Sequence, residues 1–331
     1  MNSFFSRWMA CAVLLTLSTV GLAGCDSGEA PDGEVGALRV IATTGMVADA
    51  AQRVAGDRAS VQGLMGAGID PHLYKPTRSD IGLMADADVV LYNGLLLEGK
   101  MVDALIRAGR SGKPVYAVTE ELDASALLEP EDFEGMADPH VWMDPQAWAK
   151  TVGVVRDALA AHDADGGATY QANAEAYMNE IAALDAYAEG VLNSVPAESR
   201  VLVTAHDAFN YFGRRYGYEV VGIQGLSTES EAGVQDLERI VSMLVDRKIG
   251  AVFVESTVSQ RNIQAILEGA RQRGHVVVIG GELFSDAMGE PGTYEGTYIG
   301  MIDHNVTTIA RSLGGEAPEA GMNGKLGSHA Q

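Results

Sequence analysis

The tripeptide Asp-Pro-His occurs twice, as Asp70-Pro71-His72 and as Asp138-Pro139-His140. A third histidine, His206, follows the apolar run Val201-Leu202-Val203-Thr204. Asp286 follows the run Val276-Val277-Val278-Ile279 and a turn from Gly280 to Ser285. Three imidazoles and a carboxylate are a donor set for a divalent transition metal: neutral imidazole suits zinc, and the carboxylate adds charge through one oxygen or two. One oxygen gives the four-coordination that zinc prefers; two give five, which manganese or iron accommodates. Affinity in such a site rises from manganese toward copper, so tight zinc binding alone does not identify the ion. The ion is read as zinc(II) or manganese(II), with iron(II) also admissible.

Each residue taken alone has a plainer reading. A histidine after a strand is commonly a hydrogen-bonded core or surface residue, and Asp286 has the company of a turn or helix cap in Ser285 and Gly289. Asp70 and Asp138 sit in Asp-Pro turn starters and are read as structural groups, or as carboxylates that orient imidazoles from behind. Glu255, closing an apolar run, is the spare carboxylate for the same task. His162 lies at an Asp-rich helix end, His275 at a strand start, His304 on the last helix and His329 in the tail, with no comparable context.

For the four donors to meet, the chain must bring distant segments together. β-branched apolar runs at 38–43, 59–65, 89–92 and 115–118 alternate with helical patterns at 47–55, 78–85 and 101–108. The alternation resumes with strands at 201–204, 219–222, 251–255 and 276–279 and helices at 208–216, 234–247, 261–273 and 300–313. Between the two series, residues 168–195 predict one helix of about 28 residues, roughly 40 Å long, which Pro196 ends. The fold class is α/β: two parallel-sheet lobes joined by a single long rigid helix, with the metal site in the cleft between them. Three of the four candidates fall just past the carboxyl end of a predicted strand, the edge where open α/β sheets bind ligands; no strand is evident before His140.

The expected organisation is a lipoprotein signal peptide over 1–24, a flexible tether over 25–37, an N-terminal lobe over 38–165, the linker helix over 166–197, a C-terminal lobe over 198–316 and a flexible tail over 317–331. Arg7 precedes an apolar run too short to span a membrane, which ends in Leu22-Ala23-Gly24-Cys25. That ending resembles a bacterial lipobox and implies a lipid on Cys25. Cys11, the only other cysteine, lies in the segment to be removed, leaving no disulfide and no cysteine zinc site. The net charge of −22, from 23 basic and 45 acidic residues, argues against nucleic acid as a partner.

Longer strings extend the two tripeptides. Asp70-Pro71-His72-Leu73-Tyr74-Lys75-Pro76-Thr77, Asn93-Gly94-Leu95-Leu96-Leu97-Glu98, Asp138-Pro139-His140-Val141-Trp142-Met143-Asp144-Pro145, Thr204-Ala205-His206-Asp207, Gly225-Leu226-Ser227-Thr228-Glu229 and Gly281-Glu282-Leu283-Phe284-Ser285-Asp286 are ordered along one chain. Over residues 38–313 the chain resembles the cluster A-I metal solute-binding proteins of ABC transporters. The resemblance implies metal ligands at His72, His140, His206 and Asp286. It also implies delivery of metal to an ABC permease with its cytoplasmic ATPase; the lipobox points to the outer side of a bacterial cytoplasmic membrane, and a monomer is expected. Manganese-dedicated members often carry Glu at the position of His206, and zinc-specialised members a His-rich acidic loop before the second Asp-Pro-His. Here residues 122–137 are acidic without histidine, so the resemblance leaves the metal open. A stiff linker predicts small lobe or loop shifts on capture. Two other classes stay in view. A zinc-dependent hydrolase would need an open coordination position, which Asp286 fills, and neither His-Glu-x-x-His nor Gly-x-Ser-x-Gly is present. An adhesin role would be additional to transport.

Overall fold

Val40, Ile41 and Ala42 of strand β1 (Leu38–Ala42) are all buried, as the centre of a sheet covered on both faces requires. In the computed structural model, which describes residues 37–130 and 135–327, β1 pairs in parallel with β2 (Ala59–Gly63) and β3 (Val89–Tyr92). β3 pairs with β4 (Val115–Ala117), giving the order β2-β1-β3-β4. Helices α1 (Gly45–Ala55), α2 (Arg78–Asp86) and α3 (Val102–Arg110) make the crossovers. The signal peptide, Cys25 and the tether up to residue 36 lie outside the described residues.

Two long helices follow. α4 (Pro145–His162) starts where Asp144 accepts from the backbone N–H groups of Gln146 and Ala147, with Pro145 in the first turn. α5 (Gly167–Leu192) is the expected linker, 26 residues long. α4 has no counterpart among the helices expected from the sequence, because its centre, Thr151-Val152-Gly153-Val154-Val155, has the composition of a strand. The Asp144 cap and the burial of Trp148, Val152, Val155 and Leu159 in one core with Tyr170, Tyr177 and Ile181 of α5 make it helical. α5 is tied on two sides through Asp185, which accepts from Arg215 and Tyr216 and from Gln146 of α4.

In the second half, β5 (Val201–His206) pairs in parallel with β6 (Glu219–Gln224), and β7 (Ala251–Glu255) with β8 (Val278–Leu283). These are two separate two-stranded ladders, not one continuous sheet. Helices α6 (Asn210–Tyr216), α7 (Val234–Asp246), α8 (Arg261–Gln272) and α9 (Tyr298–Ser312) surround them. β8 begins later than its apolar run suggests, at Val278 where pairing with Ala251 of β7 starts, and it runs on through residues 280–283, where the sequence pattern predicts a turn. From residue 37 onward the chain is one compact unit by its contacts, and its largest core runs from β1 and β3 through α4 and α5 to α9. No described helix is long and apolar enough to cross a membrane.

The tail departs from the flexible segment expected over 317–331. As far as residue 327 it folds in turns against α9: the Met322 N–H donates to the carboxylate of Asp303 at 2.9 Å and the Gly327 N–H to Glu295 at 3.2 Å. Asp303 is fully buried and also accepts from Tyr294, so the tail supplies donors that a buried carboxylate needs. Because Ile181 sits at the centre of the shared core, Ile181→Ala is expected to cost about 2–5 kcal/mol, read from urea unfolding of the metal-free protein.

Candidate metal centre

His206 is the last residue of β5 and Glu255 the last of β7. At that edge Glu255 accepts from the His206 backbone N–H at 2.8 Å with one oxygen and faces Nδ1 at 2.5 Å with the other. With Nδ1 engaged, Nε2 points away from the strand edge. His140 reaches the same place from the other half. Asp138 Oδ1 accepts from its backbone N–H at 2.9 Å and lies 2.7 Å from its Nδ1. Asp138 is held in turn by Asn210 of α6 at 3.1 Å, and the Tyr211 hydroxyl donates to its carbonyl.

His72 lies in the turns between β2 and α2, where Asp70 Oδ1 accepts from its backbone N–H at 2.9 Å. Asp286 follows β8. Its neighbour Ser285 accepts at its carbonyl oxygen from the indole N–H of Trp142 at 2.9 Å, and the Trp142 ring stands 5.3 Å from that of His140. Trp142 thus locks the Asp286 turn to the His140 turn.

One donor atom from each of His72, His140, His206 and Asp286 lies within 4.8 Å of every other, and all four residues are buried. Asp286 Oδ2 is 3.2 Å from His206 Nε2 and 3.6 Å from His72 Nε2; Oδ1 is 3.4 Å from His140 Nε2. The Nε2 atoms of His72 and His140 are 3.4 Å apart. A tetrahedral ion with bonds of about 2.1 Å separates its donors by about 3.4 Å, so the cluster has the spacing of a first coordination sphere. Both Asp286 oxygens and His206 Nε2 are buried without a hydrogen bond of acceptable geometry. Such orphaned atoms are costly unless a ligand completes them.

Electrostatics divides the imidazoles. Burial works against a charge on His140, but Asp138 and Asp286 outweigh it and push the group up to about 9. For His206 burial is likewise outweighed, here by Glu255 and Asp286, and the group lies well above its ordinary value. His72 has no carboxylate behind its ring; burial brings it down to about 4. Burial opposes the charge of Asp286 too, but the surrounding imidazoles, His206 foremost, hold its carboxyl well below the usual range. In the metal-free protein at neutral pH, His140 and His206 therefore carry protons beside an ionised Asp286.

All four residues singled out in the sequence come together, and Asp138 and Glu255 stand behind imidazole rings. Asp70 holds the His72 backbone instead of its ring. His206 lies within its strand, and His140 precedes a short 3₁₀ turn, Val141–Met143, which is why no strand is evident there. Trp142, Asn210 and Thr228 were not singled out for the site; Trp142 had a signal in its place between His140 and the Asp144 cap. His162, His275 and His304 lie elsewhere, bonded to Tyr116, the Ile249 carbonyl and the Glu282 carbonyl; His329 is outside the described residues.

Residues 40–312 match the family described as the periplasmic component A of the zinc-uptake complex, ZnuA. The chain belongs to this family. Among ZnuA-family relatives, the manganese-binding lipoprotein MntA of Bacillus subtilis is 44% identical over 296 residues, covering 89% of this chain and 96% of MntA. The structure of the periplasmic zinc-binding protein TroA from Treponema pallidum superposes with a TM-score of 0.81 at 44% identity, covering 84% of this chain and 99% of TroA. The manganese ABC transporter substrate-binding lipoprotein ScaA of Streptococcus gordonii is 30% identical over 309 residues, 91% of this chain and 97% of ScaA.

A pH dependence follows from the metal-free charges. His140 has a folded value of about 9 against 6.5 for the free group, so its contribution is complete below pH 6.5 and is lost as pH rises through 9. The urea midpoint of the chelator-treated chain is expected to fall across that window. A His140→Gln variant should show a flatter profile there.

Proposed function

We propose that this ZnuA-family chain is the extracytoplasmic binding lipoprotein of an ABC importer, which captures a divalent transition metal and hands it to the membrane permease. The observation that carries the reading is the convergence of three Nε2 atoms on a buried carboxylate whose two oxygens have no hydrogen bond. The relatives' names support transport and lipid anchoring, and the Leu22-Ala23-Gly24-Cys25 ending supplies the anchor. His72, His140, His206 and Asp286 are the proposed ligands.

Capture is an exchange. Metal replaces the protons on His140 and His206, while His72 is already neutral. Glu255 and Asp138 retain the Nδ1 hydrogens and keep each ring aimed. Asp286 supplies charge and fills the position an activated water would need in a hydrolase, so the reading is carriage without turnover. One Asp286 oxygen gives a zinc-like four-coordinate site and two give a five-coordinate site suited to manganese. The donor set admits zinc, manganese and iron(II).

Titration of the purified chain with zinc(II) and with manganese(II) is expected to show one equivalent bound. Asp286→Ala should weaken binding by more than the ~10–100-fold typical of groups behind the ligands, and an unchanged affinity would remove Asp286 from the site. Glu255→Gln should fall within that ~10–100-fold range. Calorimetry near neutral pH in buffers of different ionisation enthalpy should find about two protons released per ion, and affinity should decline as pH falls from about 9.

A further inference from the structure

Of the four donors, one faces outward. A cavity of about 620 Å³ lies between the two halves, and His72 is the only one of the four that lines it. Leu95, Leu96 and Lys100 form part of its wall from the N-terminal half; Ser227 and Glu229 face them from the loop 225–233 between β6 and α7.

The two walls differ in kind. Leu95 and Leu96 are consecutive non-glycine residues at φ 52° and 63°, a conformation kept only where the surroundings impose it. The buried carboxylate of Glu98 braces the turn on either side of them, accepting from the backbone N–H groups of Asn93 and Gly94 and from the Thr43 hydroxyl. The opposite wall belongs to a loop with no strand or helix of its own. Two consecutive residues of that loop grip the N-terminal half. The Thr228 hydroxyl donates to Asp70 Oδ2 at 2.5 Å, and the other oxygen of Asp70 holds the His72 backbone. Glu229 makes an ion pair with Lys100, both side chains being partly exposed.

We propose that loop 225–233 is the latch of the metal site: the ion enters and leaves past His72 through this cavity, and the Thr228–Asp70 and Glu229–Lys100 links set the rate of exchange. Opening the latch releases the Asp70 turn that carries His72. It leaves His140, His206 and Asp286 fixed by Asp138, Glu255 and Trp142, so His72 is the last ligand gained and the first lost. The proposal rests on the carrier reading and deepens it.

The test is the dissociation rate of zinc(II) from the loaded full chain, measured by stopped flow into excess chelating dye after equilibrium dialysis has established one equivalent bound. Thr228→Val should speed release about tenfold, the loss of a hydrogen bond to a charged acceptor. Lys100→Glu and Glu229→Lys should each speed release several-fold, and the double reversal should return the rate toward that of the native chain. Release from the native chain should quicken with ionic strength, and release from Lys100→Met should not. An unchanged rate in Thr228→Val, or a double reversal that releases as fast as either single variant, overturns the latch while the bound equivalent leaves the carrier reading standing. A native chain that binds no metal overturns the carrier reading itself, and the latch with it.

Discussion

A carboxylate sealed from water without a hydrogen bond is among the most expensive groups a fold can contain. Asp286 escapes that cost only through the imidazoles ranged around it, and much of the architecture can be understood as the means of keeping them there. Three imidazoles from separate segments surround it, and its turn is anchored by an indole N–H from the other half. The halves cannot drift apart without stranding that charge. The linker helix α5, pinned through Asp185 to α6 and α4, limits the drift from the other side.

The imidazoles are themselves held unequally. Two have a carboxylate behind the ring and one does not. The backing carboxylate fixes which nitrogen faces the centre and raises the proton affinity of the ring; its absence leaves His72 neutral and its orientation dependent on a turn. The same division separates the rigid floor of the site from its outward face. It also crosses the halves, since Asp138 behind His140 is steadied by Asn210 and Tyr211 of α6.

Much of this was legible in the sequence, for identifiable reasons. Donor residues that must sit at strand edges carry their context with them, so a repeated Asp-Pro-His and a histidine closing Val201-Leu202-Val203-Thr204 pointed to their neighbourhood before any coordinates. Strands such as 89–92 and 251–255 were legible because burial on both faces demands unbroken apolar runs. What was hidden depends on tertiary context. The middle of α4 looks like a strand until Asp144 caps it and α5 covers it. The start of β8 is decided by where pairing with β7 begins, not by where the valines begin. The tail looks unstructured until Asp303 recruits the Met322 backbone. Thr228 is an ordinary loop residue whose place depends on Asp70, far away in the chain.

The protonation pattern of the metal-free cluster has one more consequence. Two imidazolium charges, on His140 and His206, stand against the carboxylates of Asp138, Glu255 and Asp286. A divalent ion among three neutral imidazoles and the same carboxylates leaves the balance unaltered. Loading is then isocoulombic: the low-dielectric shell around the cluster sees neither a gain nor a loss of net charge and has little reason to reorganise.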